Sequence, residues 1–285
     1  MRLPSGPGFA RLHSAMRCGG LHTVCEEALC PNQGHCWERG HATFLILGDR
    51  CTRGCAFCNV TAHNPAPPDP DEPRRVAEAI SGLGLREIVL TSVTRDDVPD
   101  GGAAIWAATI RAVRTAAPRA TVEVLVPDFG GNPSSQDTVI AAAPDVFGHN
   151  LETVPSLYGK VRTRADYRRS LGLLRRAADA GLLAKTALML GIGETIGEVH
   201  ATIRDAREAG CAILFLGQYL RPSRRHYPVA RYVEPAEFDD LRAAALAIGF
   251  LVVESAPLVR SSFHSDAQSA LVGKKKVQIG HADIG

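Results

Sequence analysis

The chain has 285 residues, 45% of them hydrophobic, and a formal net charge of +2 from 32 Lys+Arg against 30 Asp+Glu. That apolar share can bury a core and excludes a disordered chain. The even charge excludes a basic nucleic-acid coat. No apolar run reaches the ~18 residues of a spanning helix, so neither nucleic acid nor membrane is expected as a partner.

Residues 1–41 read as a loop-like extension that holds Cys25, Cys30 and Cys36. Its first 25 residues carry Arg2, Arg11 and Arg17 and no acid. Such a stretch weakly resembles an organelle transit peptide, but a solvated arm is the expectation, and no apolar secretory region precedes it. The expected compartment is therefore the reducing cytoplasm, where clustered cysteines are metal ligands or redox groups rather than disulfides.

From residue 42 apolar runs alternate with amphipathic stretches. The runs at 43–47, 87–91, 122–126, 146–150, 186–190, 212–217 and 250–253 read as strands. Helical patterns fall near 73–82, 103–116, 134–142, 166–180, 196–209 and 236–248. Alternating βα units predict an α/β fold with a parallel sheet covered by helices. Six such units plus a trailing strand fit a partial (β/α)6 TIM-type barrel. A doubly wound open sheet has the same pattern along the chain. The expected organisation is thus an extension at 1–41, a barrel at 42–255 and a C-terminal segment at 256–285. Lys274–Lys276 in that segment read as a solvated tail.

Parallel strands place ligands at their C-terminal ends. Cys51, Cys55 and Cys58 follow the first strand, and Thr91, Ser92, Asn150, Glu152, Glu194 and Gln218 stand at the ends of later ones. The first cysteines form C-x3-C-x2-C, with Gly54 expected to permit a tight turn. Zinc would want a fourth ligand in a paired arrangement, and His63 has none beside it. An iron–sulfur cluster on three thiolates would leave one iron open. Cys18 and Cys211 stand apart and read as inert, Cys211 as a buried residue at a strand start.

The C-x3-C-x2-C loop after the first strand, with Phe57 before its last cysteine, resembles the radical S-adenosylmethionine superfamily. The resemblance implies a [4Fe–4S] cluster on Cys51, Cys55 and Cys58, with S-adenosylmethionine on the open iron and a partial (β/α)6 barrel around them. Upstream, Cys25, Cys30 and Cys36 form C-x4-C-x5-C. Alone, that spacing leaves zinc open, with His35 or His41 as a fourth ligand.

Together the two motifs resemble the lipoyl synthase family, and the likeness runs from Leu21 to His264. It includes Thr91-Ser-Val-Thr-Arg-Asp-Asp97, His149-Asn-Leu-Glu-Thr153 and Arg260-Ser-Ser-Phe263. This resemblance implies a second, auxiliary [4Fe–4S] cluster on Cys25, Cys30, Cys36 and Ser262. It implies a sulfurtransferase of lipoate biosynthesis and protein lipoylation. Radical chemistry would insert two sulfur atoms at C6 and C8 of a protein-bound octanoyl-lysine, the sulfur coming from the auxiliary cluster. The alternative is another radical enzyme whose auxiliary cluster is not consumed. The implied partners are octanoylated carriers (glycine cleavage H protein or a 2-oxoacid dehydrogenase E2 domain), an electron donor such as ferredoxin or flavodoxin, and an iron–sulfur carrier. Phe263 departs from the family's usual tyrosine. Asn150, Glu152 and, less directly, Glu194 are the expected contacts to S-adenosylmethionine. Thr91, Ser92, Arg95 and Asp96 are expected to line the substrate side. The two clusters are expected to face each other across the barrel mouth, and a basic loop of Arg221, Arg224 and Arg225 to dock an acidic carrier.

Overall fold

A computed structural model describes residues 6–263 and 266–282. Arg2 and His264 lie outside the described residues. The strands are β1 (His22–Thr23), β2 (Thr43–Ile46), β3 (Arg50–Cys51), β4 (Thr61–Ala62), β5 (Glu87–Ser92), β6 (Thr121–Leu125), β7 (Val146–Gly148), β8 (Leu183–Leu190), β9 (Ile213–Gln218) and β10 (Val252–Ser255). One sheet runs β1-β2-β5-β6-β7-β8-β9-β10. All its neighbours pair in parallel except β1, which lies antiparallel on β2. The seven parallel strands and the six crossover helices between them match the alternation in the sequence. The sheet does not close on itself, as a partial barrel requires.

Local chemistry starts the helices where the pattern changes. Thr195 and Glu198 form a reciprocal capping box ahead of the helix Ile196–Glu208, and the stripe Val199, Thr202, Ile203, Ala206 is buried. Asp166 accepts from the Arg169 N–H at the start of Tyr167–Asp179. Each cap satisfies a backbone donor that the first turn leaves without a partner.

Two expectations fail at the chain ends. The extension is not loop-like: it forms helices Pro7–Gly19, Val24–Glu27 and Gln33–Glu38. Leu12 and Met16, four residues apart, are buried on one helical face, and Pro7 opens the helix. The Phe9 ring lies 5.0 Å from that of Trp37, and Leu12, Met16 and Trp37 belong to the same core as β2, β5 and β6. At the other end the lysine run is not a free tail but part of the helix Asp266–Ala282. Lys276 Nζ lies 3.2 Å from Asp145 and 3.3 Å from the Ala120 carbonyl. Lys275 donates to the Gly181 carbonyl. Val272 is buried among Val146, Leu183 and Ile213. This helix therefore packs across the starts of β6, β7 and β8.

Between β10 and that helix the chain crosses β9 as a strap. Gln218 donates its N–H to the Pro257 carbonyl at 3.2 Å. A Cβ on Gly217 would stand 2.1 Å from the Val259 carbonyl, so only glycine lets the strap approach this closely.

Candidate functional site

The strands carry two cavities, one at each end. Side chains alternate along a strand, so every second residue faces the barrel interior. Thr43, Val89 and Glu123 line the first cavity, and Leu45, Thr91 and Leu125, two residues further along the same strands, line the second. The first, about 60 Å³, sits at the strand starts and is also lined by Cys25, Cys30, Cys36, Arg260, Ser262 and Phe263. The second, about 330 Å³, sits at the strand ends and is lined by Cys51, Cys55, Cys58, Asn150, Glu152, Arg162 and Ser261. Arg260 lines both. The expectation that the two cysteine sets face each other across the mouth is corrected. They lie at opposite ends of the interior, because the N-terminal extension packs under the strand starts while the second set follows β2 at its end.

The structure gathers each cysteine set. Burial pushes the Cys58 thiol up to about 12, and Cys55 and Cys51 push the same way. Burial also pushes Cys36 up to about 12, with Cys30 and Cys25 adding to it. Cys25, Cys30 and Cys55 are raised as well, first by burial. Such thiols lose their protons when a cationic centre takes the protons' place. All eight cysteines are free, and Cys211 is buried as expected.

Donors already point at these sulfurs. The Arg53 and Thr94 amides donate to Cys51 Sγ at 3.3 and 3.4 Å. Trp37 Nε1 is buried with no hydrogen-bond partner among the described residues, near the Cys25 thiol that it influences. Arg162 Nε is likewise buried and unpartnered, close to the charges of Glu152 and Cys55. Among the described residues, no three His, Cys, Asp or Glu side chains converge closely enough for one metal ion. Thiolates of a four-iron cluster sit on separate irons and need not converge so far. The donor sets therefore fit clusters, with Ser262 in the first cavity as an oxygen donor and, in the second, the Arg162 guanidinium with its Nε still free to donate.

The loop of the second set is held by charge. Arg53 lies between Cys51 and Cys55 and bonds Asp96 at 2.8 and 2.7 Å and Asp128 at 2.8 Å. Burial opposes the Arg53 charge, and the two carboxylates more than offset it. Arg169 reaches Asp128 at 2.7 Å. Burial alone would raise Asp128, but Arg53 and then its other charged neighbours hold it near about 2. Gly54 is not the reason for the turn: its φ is not positive and a Cβ would meet only Ala62, at 3.7 Å.

Glu152 adopts φ 66°, rare for a side chain bearing a Cβ. Its N–H donates to Ala187 and its carbonyl accepts from Met189, which fixes that conformation. Asn150 Nδ2 donates to Glu152 Oε1 at 3.0 Å. Burial raises the Glu152 pKa, opposed by Arg162 and Asn150. The strained residue and its Asn150 partner both line the second cavity. Arg162, which the sequence reading missed, donates Nη1 to the Asn150 carbonyl at 2.8 Å and to the Tyr158 hydroxyl. His149 is held neutral, burial lowering it to about 4. Since the Val126 carbonyl can only accept, Nδ1 carries the proton and Nε2 accepts from Ser170.

Three expected residues lie elsewhere. Glu194 does not reach the cavity, because its carboxylate accepts the N–H groups of Gly191, Ile192 and Gly193 in its own turn. Arg95 is 1% exposed and is spent on Asp97 and the Leu47 carbonyl. Asp96 is bound to Arg53. Thr91 and Ser92 do line the second cavity.

Residues 45–206 match the family model of the Radical SAM superfamily. The lipoyl synthase of Methylococcus capsulatus is 55% identical over 96% of this chain and 86% of its own. That of Nitratidesulfovibrio vulgaris is 53% identical over 94% and 90%. In fold, methylornithine synthase is similar with a TM-score of 0.55 at 14% identity, over 78% of this chain and 74% of that one.

The Asp128 shift yields a test. A carboxylate with a lowered folded pKa stabilises the fold above its unfolded value near 4 and loses that contribution as pH falls. Asp128→Asn is expected to cost about 3–5 kcal/mol at neutral pH, because it breaks a buried ion pair, taking one of two carboxylates from buried Arg53 and the carboxylate from part-exposed Arg169. In urea unfolding, the gap to the wild type should close between pH about 4 and about 2. A gap constant over that window would show that the carboxylate charge is not what holds the loop.

Proposed function

The chain belongs to the lipoyl synthase family of the radical S-adenosylmethionine superfamily, enzymes that insert sulfur, and we propose how its two cavities divide that work. In this reading Cys51, Cys55 and Cys58 hold the superfamily's cluster at the strand ends, and Cys25, Cys30, Cys36 and Ser262 hold an auxiliary one at the strand starts. When bound, the first group supplies the electron that cleaves S-adenosylmethionine and the second supplies sulfur. The observation that carries the reading is Ser262, brought into one cavity with the upstream cysteines. Asn32 ties that neighbourhood together by donating to the Leu258 carbonyl, 226 positions away in sequence.

The chain's own residues bind, orient and exclude water. Glu152 and Asn150 stand where an ammonium or hydroxyl group of S-adenosylmethionine can be held, and Arg162 where its carboxylate can be. Leu45, Val93, Leu125, Met189 and Phe215 give the second cavity an apolar wall suited to an octanoyl chain. An octanoyl group extended along the barrel interior would have its tail between the two sites. The rim loop with exposed Arg221, Arg224 and Arg225 suits an acidic lipoyl carrier domain. Each turnover needs electrons from a small donor protein such as ferredoxin or flavodoxin, and sulfur lost to product must be restored by an iron–sulfur carrier. Eight free thiols suit the reducing cytoplasm.

The test is an anaerobic assay with octanoyl-lysine peptide, dithionite and S-adenosylmethionine. The wild type should carry about eight irons per chain, as two four-iron clusters require. Ser262→Ala should lose sulfur insertion by more than about 100-fold while still cleaving S-adenosylmethionine. Equal loss of both activities would remove Ser262 from the auxiliary site. Deoxyadenosine without sulfur insertion by the wild type would favour an auxiliary cluster that is not consumed. Arg162→Met should raise the KM for S-adenosylmethionine about 10–100-fold, the worth of one charge-assisted hydrogen bond. An unchanged KM would leave Arg162 a purely structural cation. With an intact carrier protein, Arg224→Glu with Arg225→Glu should raise KM and weaken its salt dependence. Octanoyl peptide turnover should be unaffected, and equal effects on peptide and carrier would argue against docking.

A further inference from the structure

Beside the first cavity, which Glu123 and Gln268 line, lies a charged pair that the proposed chemistry does not use. Lys185, on β8, is 2% exposed and Glu123, on β6, is 3% exposed. Lys185 Nζ donates to Glu123 Oε1 at 2.7 Å and to Gln268 Oε1 at 2.8 Å. It also stands 3.9 Å from the centre of the Phe215 ring. Gln268 Nε2 donates back to Glu123 Oε2 at 2.5 Å. One amide thus satisfies both members of a buried ion pair, accepting from the ammonium and donating to the carboxylate.

Gln268 is on the C-terminal helix, six positions after Ser262. Phe263 and Val272 pack in the same apolar cluster as Val146, Leu183 and Phe215. Lys276 fixes the helix further along, on Asp145. On the other side of Ser262 the strap is fixed over Gly217. Ser262 is therefore held from both directions, and Gln268 is the polar anchor on its C-terminal side that bonds both members of the ion pair.

We propose that Gln268 is a positioning residue for the fourth protein ligand of the auxiliary site. By closing the Lys185–Glu123 pair it clamps the C-terminal helix to the strand starts and so keeps the Ser262 hydroxyl in the cysteine-lined cavity. The inference rests on the reading of Ser262 as a cluster ligand. It has a physical motive. A hydroxyl is a weaker ligand for iron than a thiolate, so its occupancy depends on where the backbone holds it. The ion pair makes that hold costly to break, because withdrawing Gln268 leaves buried charge with fewer partners.

The test measures iron rather than product. Anaerobic wild type, Gln268→Leu and Gln268→Leu with Ser262→Cys are mixed with an iron(II) chelator, and release is followed by absorbance. Cleavage of S-adenosylmethionine reports the other cluster. Gln268→Leu should release auxiliary-site iron at least about tenfold faster, since it removes two charge-assisted hydrogen bonds and one alone is worth that order. Cleavage of S-adenosylmethionine should persist, and the added Ser262→Cys should restore slow release, since a thiolate needs less positioning. If Gln268→Leu does not fold, Lys276→Ala loosens the same helix from its surface end and is judged by the same criterion. Release at the wild-type rate, or a rise that Ser262→Cys does not reverse, overturns the positioning role while leaving the two-cluster reading intact. A wild type with only about four irons per chain overturns both.

Discussion

Arg53 is the point on which the cysteine loop turns. It is placed between two cysteines of one short segment, and its guanidinium is buried against carboxylates from two different strand ends, Asp96 after β5 and Asp128 after β6. Burying a cation is expensive unless its partners are close and well oriented. That cost makes the loop's position specific: moving the loop would strip the arginine of partners it cannot replace. Arg169 shares Asp128, and Asp128 Oδ1 also accepts the Gly130 amide. Two loops and one helix therefore meet at the Asp128 carboxylate.

The second constraint is the pleat. Because interior-facing residues recur every two positions, β2, β5 and β6 each offer one group to the lower cavity and one to the upper. Thr43 and Leu45, Val89 and Thr91, Glu123 and Leu125 are such pairs. A molecule that meets both cysteine sets has to lie along the strands rather than across their ends. An extended acyl chain has that shape. At the lower level runs the Lys185–Glu123 pair, so a buried polar tie holds the interior on the side of the first cavity.

Much of this was legible in the chain itself, for identifiable reasons. The βα alternation was readable because seven strands and six helices are each long enough to show their period. The triplets were readable because their ligands are close in sequence. Arg162 was not, because nothing in its local sequence separates it from the many surface arginines; only burial beside Glu152 does. Glu194 misled because a strand-end carboxylate can bind its own turn as readily as a ligand. Arg95 misled similarly, its partners Leu47 and Asp97 being visible only in three dimensions. The C-terminal helix lacks a clear apolar stripe and is anchored by Gln268 and lysine side chains, a pattern that reads as solvent-exposed. That the two triplets occupy opposite ends of the interior depends on how the extension packs, through Leu12, Met16 and Trp37, and no spacing encodes it.

A consumable cluster, as proposed, would set two opposed demands on Ser262. Its bond to iron would have to yield when sulfur leaves, yet be in place when the site is rebuilt. The fold separates these demands along the chain. Weakness resides in one oxygen donor, whereas placement resides in neighbours that do not touch the metal: the strap seated on Gly217 before it and the buried amide of Gln268 after it. Arg260, whose guanidinium faces Cys30 and lines both cavities, belongs to the same strap. The segment proposed to supply the weak ligand therefore also forms the wall between the two cavities. A ligand can let go without the wall opening, because the anchors that hold the wall are hydrogen bonds and close packing rather than the bond to iron.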